Sequence, residues 1–325
     1  MANAFTRYAG SVLAYNLLVV LWGAYVRATG SGAGCGNHWP LCNGQVFPQN
    51  PFAATLIEFT HRASSGIDLV LVAGLVIWAF RGFPRGHLAR LGATLSAVFL
   101  ATEALIGAAL VKLEHVAHNA SVGRAYSLST HLINTLTLLA CLALTVWWAK
   151  GGGRLRLRGR AAWLAIPAIA LVILAGISGA IAALGDTLFP ATSLAAGFRQ
   201  DFDPAASIFL RLRLLHPLLA VTAAGWVSFC AATLAARQPA SKRYAWVVLV
   251  LLGSQVAAGG LNLLFLAPVW LQMVHLLLAD LLWISLVLLL ASALQDSAET
   301  ADTLVDAMAP GIARRIPPLQ RVGSK

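Results

Sequence analysis

The stretch LIEFTHRASSGIDLVLVAGLVIWAF, residues 56–80, decides the fold. It is long and apolar enough for a helix to cross about 30 Å of hydrocarbon, which takes roughly 20 residues. It nevertheless carries Glu58, His61, Arg62 and Asp68. Seven further segments of this length and character run at approximately 9–27, 89–112, 127–149, 161–184, 207–235, 244–266 and 270–292. With 59% hydrophobic and 11% charged residues and a mean hydropathy of +0.77, the chain reads as an all-α integral membrane protein with eight transmembrane helices. Only the tail after about residue 293 is expected in water.

The formal net charge of +11 would suggest nucleic acid in a soluble protein, but here the cations collect in particular connections, as topology requires. Arg81, Arg85 and Arg90 flank the second connection. Lys150, Arg154, Arg156, Arg158 and Arg160 fill the fourth, and Arg237, Lys242 and Arg243 the sixth. These are expected on the cytoplasmic side. The first connection, Ala28 to Thr55, holds no Lys or Arg, and the fifth sets Arg199 against Asp186, Asp201 and Asp203; both are expected outside. Both termini are then cytoplasmic, in keeping with Arg7 and with Arg314, Arg315, Arg321 and Lys325 in the tail. The expected setting is a bacterial inner (plasma) membrane, with the lipid bilayer and not nucleic acid as partner. The first segment has marks of a cleaved signal peptide, a preceding arginine and small residues from Ala28 to Gly34. Arg27 at its outer end and its match to a later helix favour a retained span.

Four segments carry a histidine near the outer end, His61, His131, His216 and His275, and alternate with four that do not. Ionisable groups at membrane depth are costly and mark ligand, ion or proton sites. An internal repeat pairs them. Gly23 and Gly176 are 153 residues apart, Gly107 and Gly259 are 152, His61 and His216 are 155, and His131 and His275 are 144. The chain therefore reads as two pseudo-repeated four-helix bundles in parallel orientation, residues 1–150 and 151–292, followed by a cytoplasmic tail, 293–325. The Gly- and Arg-rich link Lys150 to Arg160 joins them, and each half supplies one histidine pair. The plainer alternative, four packing histidines, gives no reason for the matching places.

Two imidazoles on facing helices suit a flat porphyrin, with one axial histidine from each helix, apolar walls for the macrocycle and cations for the propionates. A structural zinc site wants four closely spaced nitrogen or sulfur ligands and fits less well. No Cys-x-x-Cys-His run is present, which excludes covalent c-type attachment. The metal ligands are thus expected at His61, His131, His216 and His275. The residues three before them share their helical faces and differ: Glu58, Leu128, Arg213 and Gln272. Glu58 offers a carboxylate at the first site, and Arg211 and Arg213 offer propionate-binding cations at the second. A reactive N-terminal half and a structural or redox C-terminal half follow. Asp68, seven residues beyond His61, and Glu103, where the repeat places Gln255, can extend a proton path. Each has a plainer reading, Glu58 as the partner of Arg62, and Asp68, Glu103 and Asp280 as paired or hydrogen-bonded groups. His38, His115 and His118 lie in connections and are weaker ligand candidates, and His87 is expected to be solvated.

Cys35 and Cys42 bracket a short segment of the first outer connection, while Cys141 and Cys230 lie in apolar helices and read as packing residues. In an oxidising compartment the outer pair can form a disulfide, act as a reversible redox couple, or stay as thiols or metal ligands.

The run from Trp22 through Arg27 and Thr29 to Cys35, followed by His38-Trp39-Pro40-Leu41-Cys42-Asn43-Gly44, resembles the first outer loop of heme A synthases. So does Glu58-Phe59-Thr60-His61-Arg62, and the stretch from Gln272 through His275 to Trp283 is similar to that family's last helix. The likeness extends over residues 9–292, and the cysteine pair places the chain with the cysteine-bearing members.

The resemblance implies oxidation of a ring methyl of heme O to a formyl group, by successive hydroxylation with loss of water, giving heme A for terminal oxidases. It implies a substrate heme held by His61 and His131 and a heme b held by His216 and His275. Glu58 matches the family's motif carboxylate, with a role in proton transfer or in stabilising a cationic intermediate. A heme O-producing prenyltransferase and an electron donor are the implied partners, and the sequence leaves room for a homo-oligomer. The third outer connection departs from the simplest members in carrying Glu114, His115, His118 and Arg124, so His118 competes with His131 as ligand. Two other classes stay open, a heme-binding oxidase-assembly factor without turnover and a membrane cytochrome b that relays electrons. Glu58 separates them, because a pure relay needs no carboxylate poised at one of its hemes.

Overall fold

The computed structural model describes residues 2–295; the part of the expected tail beyond Gln295 lies outside the described residues. Ten α-helices follow one another: α1 Ala2–Ala28, α2 Ala53–Gly82, α3 Leu88–Lys112, α4 Val122–Ala149, α5 Gly159–Leu188, α6 Leu194–Phe202, α7 Ile208–Arg213, α8 Leu215–Arg237, α9 Lys242–Leu264 and α10 Val269–Leu294. Eight spans among the described residues are long and apolar enough to cross a membrane, α7 and α8 together making one, Ile208–Arg237. All eight expected segments are found. The chain is a multi-pass membrane protein.

The break between α7 and α8 has a local cause. Pro217 cannot donate to the carbonyl of Arg213 four residues back, and its ring crowds that carbonyl, so α7 ends at Arg213 beside His216. The short α6 in the fifth connection was not foreseen; the Ser193 hydroxyl opens it by accepting from the Ala196 N–H at 3.1 Å.

Helices α1 to α4 form one four-membered ring, each packed on the next and α4 on α1. α5, α8, α9 and α10 form the second in the same way. The rings meet along α1 and α4 on one side and α5 and α10 on the other. Trp283 crosses this seam, its Nε1 donating to the Leu136 carbonyl at 2.7 Å. Leu139, Ala143 and Ile284 pack around it.

The apolar cores are unevenly placed. In the first ring Phe5, Val12, Val72, Leu75, Leu138 and Leu142 come from the starts of helices without histidine and the ends of helices with one. Leu164, Val227, Leu234, Val248, Leu286 and Leu289 repeat this in the second. Close packing therefore fills the end of each ring that bears the connections 83–87, 150–158 and 238–241, termed the lower face. The four histidines, all half-buried, lie toward the opposite, upper face.

Candidate functional site

In the N-terminal half, His61 on α2 and His131 on α4 lie near enough that a charge on one acts on the other. The His61 ring presses against α1, where a Cβ on Gly23 would stand 2.9 Å from its Cε1 and 3.1 Å from its Nε2. Any side chain at position 23 would push the ring away. His61 Nδ1 is buried without a partner. His131 Nδ1 instead donates to Glu103 Oε1 at 2.9 Å. Glu103 is held in turn by Asn134 Nδ2 at 2.6 Å and by the Thr135 hydroxyl. A histidine whose Nδ1–H is fixed by a carboxylate presents the lone pair of Nε2, which is how metal-binding imidazoles are oriented.

The C-terminal half repeats the plan with other chemistry. His216 Nδ1 lies 3.2 Å from the Ser178 hydroxyl, and His275 Nε2 lies 3.2 Å from Gln255 Nε2. These two histidines also lie near enough that a charge on one would act on the other, and His275 Nδ1 is buried without a partner. A Cβ on Gly179 would stand 2.9 Å from His216 Cε1, and one on Gly259 3.2 Å from His275 Cε1. What recurs is a histidine ring laid against a glycine of a neighbouring helix. The expected equivalence of Gly23 with Gly176 is accordingly corrected to Gly179, 156 residues on. Gly176 faces the seam, where a Cβ would meet Leu132 Cδ2 at 3.2 Å. Spacing alone does not separate a glycine that accommodates a ring from one a turn earlier that accommodates a helix.

Glu58 is 3% exposed and fully engaged. Its Oε1 accepts from Arg62 at 2.5 Å, and its Oε2 accepts the Cys35 backbone N–H at 2.8 Å. Arg62 also donates to the carbonyls of His38 at 2.5 Å and Leu41 at 2.7 Å. The ion pair thus fastens the 35–42 loop onto α2 one turn above His61, and that loop is closed by a Cys35–Cys42 disulfide. Cys141 and Cys230 are free and buried. Asp68, wholly buried, accepts from Asn16 Nδ2 at 2.5 Å. Asp280, 2% exposed, has an unpartnered Oδ2. Of the three carboxyls singled out inside the helices, only Glu103 bonds a histidine.

The two cations expected for propionates have partners within the fifth connection and its flanking helices. Arg213 pairs with Asp186 at 2.6 Å and Asp201 at 2.5 Å, and Arg211 donates to the Pro204 carbonyl. His115 Nδ1 lies 2.8 Å from the Ser127 hydroxyl, and His118 is exposed in its connection. His87, expected to be solvated, caps α3 by accepting from the Ala89 N–H at 3.1 Å. Sequence reasoning missed Arg27, whose guanidinium crosses the seam to Ala183, Thr187 and Gln272.

Among the described residues no group of three or more His, Cys, Asp or Glu converges as a metal-binding cluster. Two imidazoles per half, one of them with an orphaned Nδ1, set against glycines of neighbouring helices, fit the iron of a porphyrin. A family model described as Cytochrome oxidase assembly protein, COX15-CtaA, matches residues 6–287. The chain belongs to this family. Within its relatives, a Thermus thermophilus protein named Protoheme IX farnesyltransferase is 49% identical over 300 residues, 91% of this chain and 49% of that protein. The chain thus spans about half the length of that relative. Proteins named Heme A synthase are similar over shorter stretches. That of Exiguobacterium sp. is 38% identical over 104 residues, 32% of this chain and 35% of the relative. That of Geobacillus kaustophilus is 40% identical over 111 residues, 34% and 35% respectively.

Proposed function

We propose that the chain is a heme A synthase, an oxidoreductase that converts a ring methyl of heme O to a formyl group for terminal oxidase assembly. The observation that carries this reading is the asymmetry of the histidine pairs. Glu103 accepts from His131 Nδ1 in the N-terminal half and leaves Nε2 free, whereas in the other half the Gln255 amide nitrogen lies against His275 Nε2 and Nδ1 has no partner. A carboxylate on Nδ1 raises the basicity of Nε2, and His275 has no such support, so the two halves are built for different tasks. His61 and His131 would hold the substrate heme, and His216 and His275 a heme b. When bound, these groups supply the redox chemistry. The chain's own residues orient the rings, exclude water below the site with packed Leu, Val and Ala, and set Glu58 one turn above His61 for proton handling.

The name of the Thermus relative concerns farnesylation of protoheme, and heme O is a farnesylated heme, which supports a prenyltransferase as the source of substrate. An electron-transfer partner completes the redox balance. The distribution of Lys and Arg supports a bacterial inner membrane in which the lower face is cytoplasmic, both termini are inside and the histidines lie toward the outer face.

The test is heme extraction and mass analysis of membranes from a host that makes heme O but lacks its own heme A synthase. Heme A, or the hydroxylated intermediate, is expected with the intact chain and not with His61→Ala. A purified protein that carries heme while heme O stays unaltered would instead support the assembly-factor or cytochrome reading.

A further inference from the structure

Asp68 of α2 is wholly buried and Asn16 of α1 is 2% exposed. Asn16 Nδ2 donates to Asp68 Oδ2 at 2.5 Å. The other oxygen of each side chain, Asp68 Oδ1 and Asn16 Oδ1, is buried with no donor. Two orphaned acceptors on partners that already share one bond point to one missing hydrogen. A proton on Asp68 Oδ1 turns that atom into a donor, and Asn16 Oδ1 is the acceptor for it, directly or through one water. The ionised pair leaves both oxygens bare, whereas the neutral pair satisfies both.

Nothing compensates the ionised form, which burial without a paired charge makes costly. Among the described residues no Lys, Arg or His bonds Asp68. Arg62 on α2 itself is paired with Glu58. From the helices packed on α2, Tyr8 donates to the Leu71 carbonyl at 2.8 Å, Tyr15 donates to the Ser64 carbonyl at 3.2 Å, and Glu103 is bonded to His131. The turn Ser31–Ala33, also packed on α2, carries no titratable side chain.

Placement gives the pair its task. It rests on the packed lower core, with Val12 one turn below Asn16 on α1, and Val72 and Leu75 one and two turns below Asp68 on α2. Above it are hydroxyls. Ser64, one turn above Asp68, and Ser65 each donate to the His61 carbonyl at 2.9 Å, and Tyr15 ties itself to Ser64. A proton on Asp68 is thus sealed from the lower face and stands below His61 by seven residues, roughly 10 Å of helix. The C-terminal half has no such pair. The offsets that carry Gly23 to Gly179 and His61 to His216 carry Asn16 to Val172 and Asp68 to Ala223.

We infer that Asn16 and Asp68 form a proton-holding site of the N-terminal half, in which Asp68 carries the proton and gives it up when positive charge is placed between His61 and His131. The inference rests on reading this half as a porphyrin site. Ferric iron there carries one more positive charge than ferrous iron. At about 10 Å and an effective dielectric constant of about 20, a unit charge shifts a proton equilibrium by roughly tenfold. One electron delivered to the iron by a reductant is therefore accompanied by partial uptake of one proton from the aqueous phase onto the Asp68 carboxylate, and oxidation by its release.

The experiment is infrared spectroscopy of purified full-length protein loaded with iron protoporphyrin IX and reduced electrochemically. A carboxylic-acid C=O stretch that shifts in heavy water is expected, lost in Asp68→Asn and kept in Asp280→Asn, which separates it from the other buried acid. Reduction should increase that band and oxidation decrease it. If Asp68→Asn does not fold, Asp68→Glu keeps the acid and should displace the band. Absence of any band that depends on residue 68 means an ionised Asp68 and overturns the inference. A band that reduction leaves unchanged also overturns it, since the pair is then a packing contact alone. A reduction signal that survives His61→Ala and vanishes in His216→Ala overturns the porphyrin reading of the N-terminal half instead.

Discussion

Glu103 Oε1 accepts the Nδ1 hydrogen of His131 at 2.9 Å, whereas Gln255, its counterpart on α9 in the repeat, sets its amide nitrogen 3.2 Å from Nε2 of His275. Asn134 and Thr135 hold the carboxylate from α4, so the acid, its supports and its histidine form one connected group. Glu103→Gln keeps the shape and removes the charge. Outer-shell partners of this kind are worth about 10–100-fold in metal affinity. The substitution is therefore expected to weaken heme binding at the N-terminal site by that order in an optical titration, with the C-terminal site unchanged.

Glycine is required where a histidine ring touches a neighbouring helix. A Cβ at Gly23 would stand 2.9 Å from His61 Cε1, and one at Gly179 2.9 Å from His216 Cε1. Gly23→Ala should displace the His61 ring and abolish ligation in the N-terminal half, and Gly179→Ala should do the same to His216. Gly176→Ala meets the flexible ends of Leu132, at 3.2 Å, and Leu136, at 3.9 Å, and should leave both ligations intact. Heme spectra of the three variants, with circular dichroism to show retained helix, separate a ring-accommodating glycine from a packing one.

The spans and histidines were legible because both obey local rules. Crossing a bilayer demands a long apolar run, and a histidine within one stands out against it. The links among them were not legible. Glu103 meets His131 through tertiary packing of α3 on α4, Arg27 reaches Gln272 across 245 residues, and Arg213 finds Asp201 on a helix hidden in the fifth connection. Glu58 shows the boundary within one residue. Its ion pair with Arg62 is an i, i+4 pattern readable in the chain, whereas its bond to the Cys35 N–H depends on how the first connection folds back.

Trp283 makes a polar link across the seam between the two rings, through its 2.7 Å bond to the Leu136 carbonyl. Trp283→Phe removes the donor and keeps most of the ring. The expected loss is about 1 kcal/mol, the net worth of one buried hydrogen bond. It should appear as a lower thermal midpoint in detergent with both heme spectra retained.

Glu58 and Arg62 are 4% and 13% exposed at their side chains, so removing one leaves the other's charge buried. Breaking a buried pair from one side costs about 3–5 kcal/mol. Glu58→Gln and Arg62→Gln are each expected to lower stability on that scale, and the double variant by less than their sum. A double-mutant cycle read by thermal unfolding measures the coupling.

The Cys35–Cys42 disulfide acts on the loop that this ion pair fastens, since Glu58 bonds the Cys35 N–H and Arg62 bonds the carbonyls of His38 and Leu41. Closing so short a loop is worth about 2.5 kcal/mol through the unfolded chain. The larger consequence is local. With the disulfide intact, loss of the ion pair leaves the loop tied to itself; with the ion pair intact, loss of the disulfide leaves the loop tied to α2. Either restraint should hold the connection closed, so Cys35→Ser with Cys42→Ser, or Glu58→Gln alone, is expected to leave residues 35–42 largely resistant to limited proteolysis. The triple variant should be cleaved there readily. Rapid cleavage after loss of the disulfide alone would mean that the bonds from Glu58 and Arg62 do not hold the loop, and that its closure rests on the covalent link.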